Sequence, residues 1–121
     1  MIWVVLLVVA GGGAAIKGDP TKGEAIYARC LACHALDYDR TGPHHCGVVG
    51  RKAGTVKEFQ YSDAMKKSGL TWNVKTLNRF LSAPTEVVPG TAMTYAGVPD
   101  DQERADLIAW LAQQKCKPAG K

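Results

Sequence analysis

Cys30-Leu31-Ala32-Cys33-His34 is the stretch that decides how the rest of this chain has to be understood. Its pattern, C-x-x-C-H, is typical of the covalent attachment of a c-type haem. Two thiols three residues apart near a helix end can each add to a haem vinyl group. The histidine that follows is then placed to bind the iron through a ring nitrogen. The motif therefore predicts one covalent haem c, held by Cys30 and Cys33, with His34 as an axial iron ligand.

Three other interpretations of this motif have less support. A zinc site needs a second pair of ligands at finger-like spacing, whereas Cys46 and Cys116 each stand alone in the sequence. A thioredoxin-type dithiol lies at a helix N-terminus, where the helix dipole lowers the thiol pKa, but here the motif follows a predicted helix. A disulfide within C-x-x-C would leave His34 without a role.

Length and composition indicate a single globular domain. The chain has 121 residues, of which 46% are hydrophobic and 21% charged. Its formal net charge of +4 is too small, and too scattered along the chain, to indicate nucleic-acid binding. No apolar stretch reaches the roughly 18 to 20 residues that span a bilayer.

The first sixteen residues differ from the rest. Residues 1–16 carry no charge, and an unbroken apolar run over residues 2–10 is followed by small residues. This pattern favours a secretory signal peptide, although no Lys or Arg precedes the apolar run. A short membrane anchor and an ordinary buried helix remain open. With a signal or an anchor, the domain formed by residues 17–121 is exported to the bacterial periplasm, an oxidising compartment, and contacts the membrane only if residues 1–16 are retained.

Capping and periodicity predict few helices and much loop. We expect four: one from Asp19-Pro20 to about Cys33, one over residues 62–68 ended by Gly69, one capped by Thr71 that stops before Pro84, and one started by Asp100 and Glu103. Residues 35–60 and 83–99 are expected to be irregular. Loops of this length need a ligand to organise them, and so few helices offer little apolar surface for a core. The sequence predicts an all-α fold, four or so helices and long loops wrapped around one covalently bound haem.

Four side chains are candidates for the second axial ligand: His44, His45, Met65 and Met93. The two histidines follow His34 too closely to reach the other haem face, and we expect them to face solvent. Met65 lies in a short predicted helix and is expected to pack in the core. Met93 lies in an irregular segment far enough along the chain to approach the other face. The residues themselves favour Met93.

Ordered motifs over residues 18–115 resemble those of class I c-type cytochromes, close to mitochondrial cytochrome c and its soluble photosynthetic-bacterial relatives. The matching positions are Gly23 and Tyr27, the C-x-x-C-H motif, Thr41-Gly42-Pro43, residues 47–54, residues 59–64, residues 69–72, residues 88–93 and residues 104–111. The resemblance implies the cytochrome c fold and His/Met axial ligation by His34 and Met93. It also implies that Gly23 and Tyr27 let the first helix cross the last one closely.

The resemblance also implies a haem pocket. On the His34 side, the Pro43 carbonyl would accept a hydrogen bond from the second ring nitrogen of His34. Arg51, Tyr61 and Trp72 would surround a haem propionate, whose charge is costly to bury without partners.

On the methionine side, the resemblance gives Thr91 the role of holding the Met93 loop. Phe80 departs from the family pattern, because relatives usually have a tyrosine there whose hydroxyl lies near the methionine sulfur. This change makes the pocket drier and removes a hydrogen bond.

Cys46 and Cys116 remain to be explained. In the fold that the resemblance implies, the loop after the haem motif passes near the C-terminal end of the chain, and an exported protein rarely keeps two exposed thiols. We therefore predict a Cys46–Cys116 disulfide, with two free and partly buried cysteines as the alternative.

These expectations describe an electron carrier rather than an enzyme, because no side chains suggest covalent or acid–base catalysis. Partners are expected to be membrane-bound or periplasmic redox proteins of a respiratory or photosynthetic chain, such as a cytochrome bc1-type complex, a terminal oxidase or a reaction centre. The carrier is expected to be monomeric. A haem enzyme or gas sensor would need an open coordination site in place of Met93, and an anchored subunit of a larger complex would need residues 1–16 to stay attached.

Overall fold

A computed structural model describes residues 16–118 as five α-helices joined by long loops. The helices are α1 (Pro20–Tyr27), α2 (Asp63–Lys66), α3 (Val74–Ser82), α4 (Pro84–Val87) and α5 (Asp101–Leu111). In this part of the chain, β-structure is limited to an isolated antiparallel bridge between Lys52 and Thr71. Nor does any helix within it have the length and apolarity to cross a membrane. The expected signal or anchor over residues 1–16 lies, except for Ile16, outside the described residues.

Helix α1 begins where the sequence predicts but ends earlier. The Asp19 carboxylate caps it by accepting a hydrogen bond from the Thr21 N–H at 2.9 Å. The expected extension to Cys33 is wrong, because the α-helix ends at Tyr27 and continues as a 3-10 turn over Ala28–Cys30. Beyond Tyr27 the chain makes backbone bonds that span three residues in place of four. The Leu31 N–H donates to the Ala28 carbonyl at 3.3 Å, and the Cys33 N–H donates to the Cys30 carbonyl at 3.2 Å.

Two further expectations about helix boundaries are wrong. Asn73, and not Thr71, caps α3, because Asn73 and Thr76 exchange hydrogen bonds of 2.9 Å in a capping box while Thr71 pairs with Lys52. Residues 83–99 are not wholly irregular, because Pro84 occupies the first position of the single-turn helix α4. Helix α3 does end before Pro84, as predicted.

The crossing of α1 and α5 forms the frame of the domain. Gly23 lies at the closest approach, where an added Cβ atom would stand 1.9 Å from the Asp106 carbonyl oxygen. One turn further, the rings of Tyr27 and Trp110 lie 4.5 Å apart. Leu107, at 1% exposure, is buried in the same face of α5. The crossing therefore depends on a residue without a side chain at position 23, as the resemblance implies.

A hydrogen-bonded carboxylate ties the start of α1 to the middle of α5. The Asp106 carboxylate accepts from the Asp19 N–H at 2.7 Å and from the Gln102 side-chain amide at 2.8 Å. These two bonds, together with the nearby Lys22 charge, hold the pKa of Asp106 below its usual range.

We expect Gly23→Ala to destabilise the folded holoprotein by about 1–3 kcal/mol, because the new methyl group forces the two helices apart. This loss exceeds the gain of roughly 1 kcal/mol that alanine brings to a helix. Denaturant unfolding measures the change. Glu24→Ala, at the exposed neighbouring position, should stay within about 0.5 kcal/mol of the unaltered protein. A Gly23→Ala protein as stable as the Glu24→Ala protein would show that the helices do not cross this closely.

The Asp106 bonds predict a pH-dependent contribution to stability. A carboxyl group whose pKa is lowered by folding stabilises the protein above its unfolded pKa, near 3.9, and this stabilisation is lost as the pH falls through the folded pKa. Asp106→Asn should therefore lower the free energy of unfolding at pH 7, and the difference from the unaltered protein should shrink below about pH 4. Urea unfolding across this pH range tests the prediction, with Glu24→Gln as the control. A difference that does not change with pH would contradict it.

Candidate haem-binding site

The two motif cysteines lie at the end of the 3-10 turn that follows α1. Cys30 is partly buried, Cys33 is exposed, and both are free thiols in the structure. Burial is the main reason that the pKa of Cys30 is raised, to about 11. Reactive redox dithiols need a lowered thiol pKa, so the environment of Cys30 does not favour the dithiol interpretation.

His34 is held by the loop that returns beneath it. Its Nδ1 atom lies 2.8 Å from the Pro43 carbonyl oxygen, and because a carbonyl accepts, Nδ1 carries the proton. The lone pair of the ring is therefore on Nε2. Gly42 makes the close approach possible, since a Cβ atom there would lie 2.1 Å from Cε1 of His34. One nitrogen of a buried imidazole is thus fixed and the other is left to act as a ligand.

The electrostatics around His34 favour the neutral, ligating form of the ring. Burial is the largest cause of a lowered pKa, and the positive charges of Arg51 and Arg40 act in the same direction. The hydrogen bond to Pro43 opposes them without reversing the shift. Metal binding requires a neutral imidazole, and this environment supplies one.

Arg40 shapes this loop and was missed by the sequence analysis. Its guanidinium donates to the Leu31 carbonyl and, at 3.4 Å, to the His34 carbonyl. Its backbone N–H bonds to the Gly42 carbonyl at 2.9 Å. Arg40 therefore connects the haem motif to the glycine that approaches the His34 ring. An exposed arginine in an irregular segment carries no sequence signal for this role.

The expectation that the two loop histidines both face solvent is wrong for His45. His44 is half-buried and bonds to the Asp39 carboxylate at 2.7 Å, whereas the ring of His45 stacks on that of His34 with centroids 4.0 Å apart. The Tyr27 hydroxyl lies 3.0 Å from its Nδ1 atom. Burial, aided by the positive surroundings, lowers the pKa of His45 to about 3. Adjacent residues of an irregular loop point to different sides, and no periodicity reveals which one turns inward.

The residues expected around a propionate divide into two groups. Arg51 donates to the His44 carbonyl at 3.0 Å, and burial lowers its pKa while the neighbouring Tyr61 opposes the shift. The Tyr61 hydroxyl also accepts from the Val56 N–H at 3.1 Å. Trp72 is buried, and its recorded ring contact is with Phe80 of α3, at 4.9 Å. The structure thus places Arg51 near Tyr61. It packs Trp72 separately, against Phe80.

Met93 occupies a loop held by Thr91. The buried Thr91 hydroxyl accepts from the Met93 N–H at 3.2 Å, and the Thr91 N–H donates to the Val88 carbonyl at 3.0 Å. The side chains of Met93 and of Met65 in α2 are both partly buried and pack against the hydrophobic core. The loop therefore has the backbone anchor that the resemblance assigns to Thr91.

A disulfide joins Cys46 to Cys116 in the structure and links positions 70 residues apart. Beside it the Gly47 N–H donates to the Gln114 carbonyl at 2.7 Å. With His44, these cysteines are the one set of three potential metal ligands grouped within residues 16–118, and their sulfurs are already bonded to each other. The disulfide thereby ties the loop that contains Cys46 to the segment after α5.

The donor set at the motif fits a haem c. It comprises two thiols three residues apart, a buried neutral imidazole with one nitrogen occupied, and a methionine whose backbone N–H is bonded to a buried hydroxyl. The Gly42 backbone leaves no room for a side chain against the imidazole. These residues match the requirements of covalent attachment and axial ligation.

Comparisons with known proteins agree with this geometry. The family model described as cytochrome c matches residues 20–115. Cytochrome c2 of Rhodomicrobium vannielii is 47% identical over 109 residues, covering 88% of this chain and 87% of that protein. Cytochrome c of Tetrahymena pyriformis is 53% identical over 97 residues, 78% of this chain and 88% of its own length.

A solved structure shows the same fold. Cytochrome cH from Methylobacterium extorquens superposes with a TM-score of 0.78 at 43% identity, covering 80% of this chain and all of that one. The all-α cytochrome c fold predicted from the sequence is confirmed. Motif, site geometry and relatives lead to one conclusion: the chain belongs to the cytochrome c family, binds a single covalent haem c and is an electron carrier.

Proposed function

We propose that this protein is an exported, periplasmic one-electron carrier in which His34 and Met93 are the axial ligands and Cys30 and Cys33 form the thioether bonds. The observation that carries the proposal is the 2.8 Å contact between His34 Nδ1 and the Pro43 carbonyl, which leaves Nε2 as the nitrogen with a free lone pair. On the other side, Thr91 holds the backbone of the Met93 loop. The proposed cytochrome domain comprises residues 17–121.

When bound, the haem supplies an Fe(III)/Fe(II) couple, and the protein keeps the ligands still. Pro43 and Gly42 hold His34 in position, and the Thr91 hydroxyl anchors Met93. Ligands fixed in this way need little rearrangement when one electron enters or leaves. A small rearrangement favours rapid transfer to a partner, which is what a carrier requires. With both axial positions filled, a haem enzyme or gas sensor is the less supported alternative.

The pocket residues are proposed to act on the charge of the haem. Arg51, Tyr61 and Trp72 would offer donors to a propionate, and the lowered pKa that burial gives Arg51 shows that its charge lies in a poorly solvated environment. Phe80 offers no hydroxyl near the methionine, so its buried ring makes that side of the pocket apolar. Polarity and hydrogen bonding around an iron site set its reduction potential.

Redox proteins of respiratory or photosynthetic chains are the partners that the cytochrome c2 relatives indicate. We propose a cytochrome bc1-type complex, a terminal oxidase or a reaction centre among them. The Cys46–Cys116 disulfide supports an oxidising compartment. Residues 1–16 are proposed as the signal peptide or, if retained, as a short anchor, and the mass of the mature chain separates these two forms.

Met93→Leu should remove the weak near-infrared-edge absorption band that marks methionine ligation of ferric haem. It should also lower the reduction potential, because a His/Met pair raises the potential of a haem. Optical spectra and redox titration of the purified holoprotein measure both effects. Met65→Leu makes the same chemical change at the other partly buried core-packed methionine and should keep the band.

Three results would contradict axial ligation by Met93. The first is a Met93→Leu protein that keeps the band. The second is a Met65→Leu protein that loses it. The third is a ferric spectrum of the unaltered protein that is typical of coordination by two histidines or of iron that lacks a sixth ligand.

The disulfide predicts a definite mass and a loss of stability when it is removed. Reduction of the denatured holoprotein should add the mass of two hydrogen atoms and expose two thiols, because Cys30 and Cys33 are held in thioethers. The double variant Cys46→Ala/Cys116→Ala should unfold at a lower denaturant concentration. Its free energy of unfolding should fall by up to about 4 kcal/mol, the value for a closed loop of 70 residues. Intact-mass measurement and unfolding curves test these outcomes. Two alkylatable thiols in the unreduced denatured protein would show that the bond does not form.

A further inference from the structure

We propose that His45 is a positioning residue for the axial ligand His34. The His45 ring stacks on the His34 ring, is itself held by Tyr27, and sets the orientation of the His34 ring and the polarity beside it. The inference deepens the proposed function and rests on the role of His34 as an iron ligand. It goes beyond the attachment motif, the axial pair and the pocket residues described above.

The first observation is the geometry of the two imidazoles. The centroids of the His34 and His45 rings lie 4.0 Å apart, and their planes are inclined by 20°. The hydrogen bond to Pro43 fixes one edge of the His34 ring. A nearly parallel ring at stacking distance restricts how that ring can tilt about the fixed edge. Together, Pro43 and His45 constrain the ring at an edge and at a face.

The second observation is that His45 is itself held in place. The Tyr27 hydroxyl lies 3.0 Å from Nδ1 of His45, and the two rings meet edge to face at 5.5 Å. Burial raises the pKa of Tyr27 to about 12, so the hydroxyl keeps its proton beside this nitrogen. The His45 backbone N–H donates to the Ala35 carbonyl at 3.1 Å, and the adjacent Cys46 carries the disulfide.

Tyr27 connects this stack to the helix crossing. Its ring lies 4.5 Å from that of Trp110 in α5, on the same α1 face as Gly23. A continuous set of contacts therefore runs from the α1–α5 crossing through Tyr27 and His45 to His34. A hydrophobic residue at position 45 would fill the space but could not hydrogen-bond to the Tyr27 hydroxyl, which would leave this buried group without its partner.

The stack has a consequence for the iron couple. The His45 imidazole places a polar ring against the axial ligand, where an alkyl side chain would place an apolar one. Polar groups near a haem stabilise the more positively charged ferric state relative to an apolar replacement. We therefore expect His45 to lower the reduction potential, and His45→Leu to raise it.

The test compares His45→Leu with His44→Leu, which makes the identical change one residue earlier, where the ring bonds to Asp39 and not to His34. Redox titration should show a several-fold shift of the reduction equilibrium toward Fe(II) for His45→Leu, where a tenfold shift corresponds to about 59 mV. Ferric electron paramagnetic resonance should show altered g-values, because these report the axial ligand field. The His44→Leu protein should match the unaltered protein in both.

Tyr27→Phe is the second variant, because it removes the hydroxyl and keeps the ring against Trp110. It should change the g-values in the same direction as His45→Leu, by a smaller amount. If His45→Leu does not yield holoprotein, Tyr27→Phe and His45→Gln carry the same test. A purely structural role for His45 would lower the unfolding midpoint while the potential and g-values stayed unchanged, and this result would overturn the proposal.

A failure of the proposed function can be distinguished from a failure of this inference. The spectrum of the unaltered protein reports His/Met ligation without any variant, so its absence would refute the axial assignment. Normal ligation in the unaltered protein, combined with variants at position 45 that match it in potential and g-values, would refute the positioning role alone. Equal shifts from His44→Leu and His45→Leu would refute it as well.

Discussion

The hydrogen bond between His34 and the Pro43 carbonyl is the constraint on which the rest of this structure depends. It fixes the tautomer of the imidazole and so leaves the free lone pair on Nε2. The contact requires the chain to turn back directly after the attachment motif. It also requires glycine at position 42, where a side chain would overlap the ring. The course of the loop and the tautomer of the His34 ring thus follow from one contact.

The helix crossing supplies the rigidity that this small domain would otherwise lack. Gly23 brings α1 and α5 together at backbone distance, and Asp106 ties the start of one helix to the middle of the other. The crossing is continuous with the site, because Tyr27 packs on Trp110 and bonds to His45. A His34 ring supported by this frame would move little when the iron of the haem gains or loses an electron. This is the property that an electron carrier needs and a catalyst with an open site does not.

The two sides of the site differ in character. On the His34 side lie two imidazoles, the half-buried Arg51 and a loop fastened by the Cys46–Cys116 disulfide. Around Met93, the Thr91 hydroxyl accepts from the Met93 N–H, and the side chain packs against the hydrophobic core to which Phe80 and Trp72 belong. The reduction potential of a haem is set by its axial ligands, by hydrogen bonds around it and by its burial. The polar side chains of this chain lie mostly beside His34, whereas Met93 packs against apolar ones.

The sequence by itself determined the haem motif, the all-α fold and the start of the first and last helices, because thiol spacing, capping residues and helical periodicity are local properties. Through resemblance it also predicted that Gly23 lets the first helix cross the last one and that the Pro43 carbonyl bonds to His34, and the structure has both contacts. Only the tertiary structure decided that α1 ends at Tyr27, that Asn73 rather than Thr71 caps α3, and that His45 turns inward while His44 does not. The Asn73–Thr76 capping box is a local pattern, but the pairing that engages Thr71 with Lys52 is not. The end of α1 and the inward turn of His45 depend on the packing of the whole domain, because residues of an irregular loop carry no periodicity that shows where they turn.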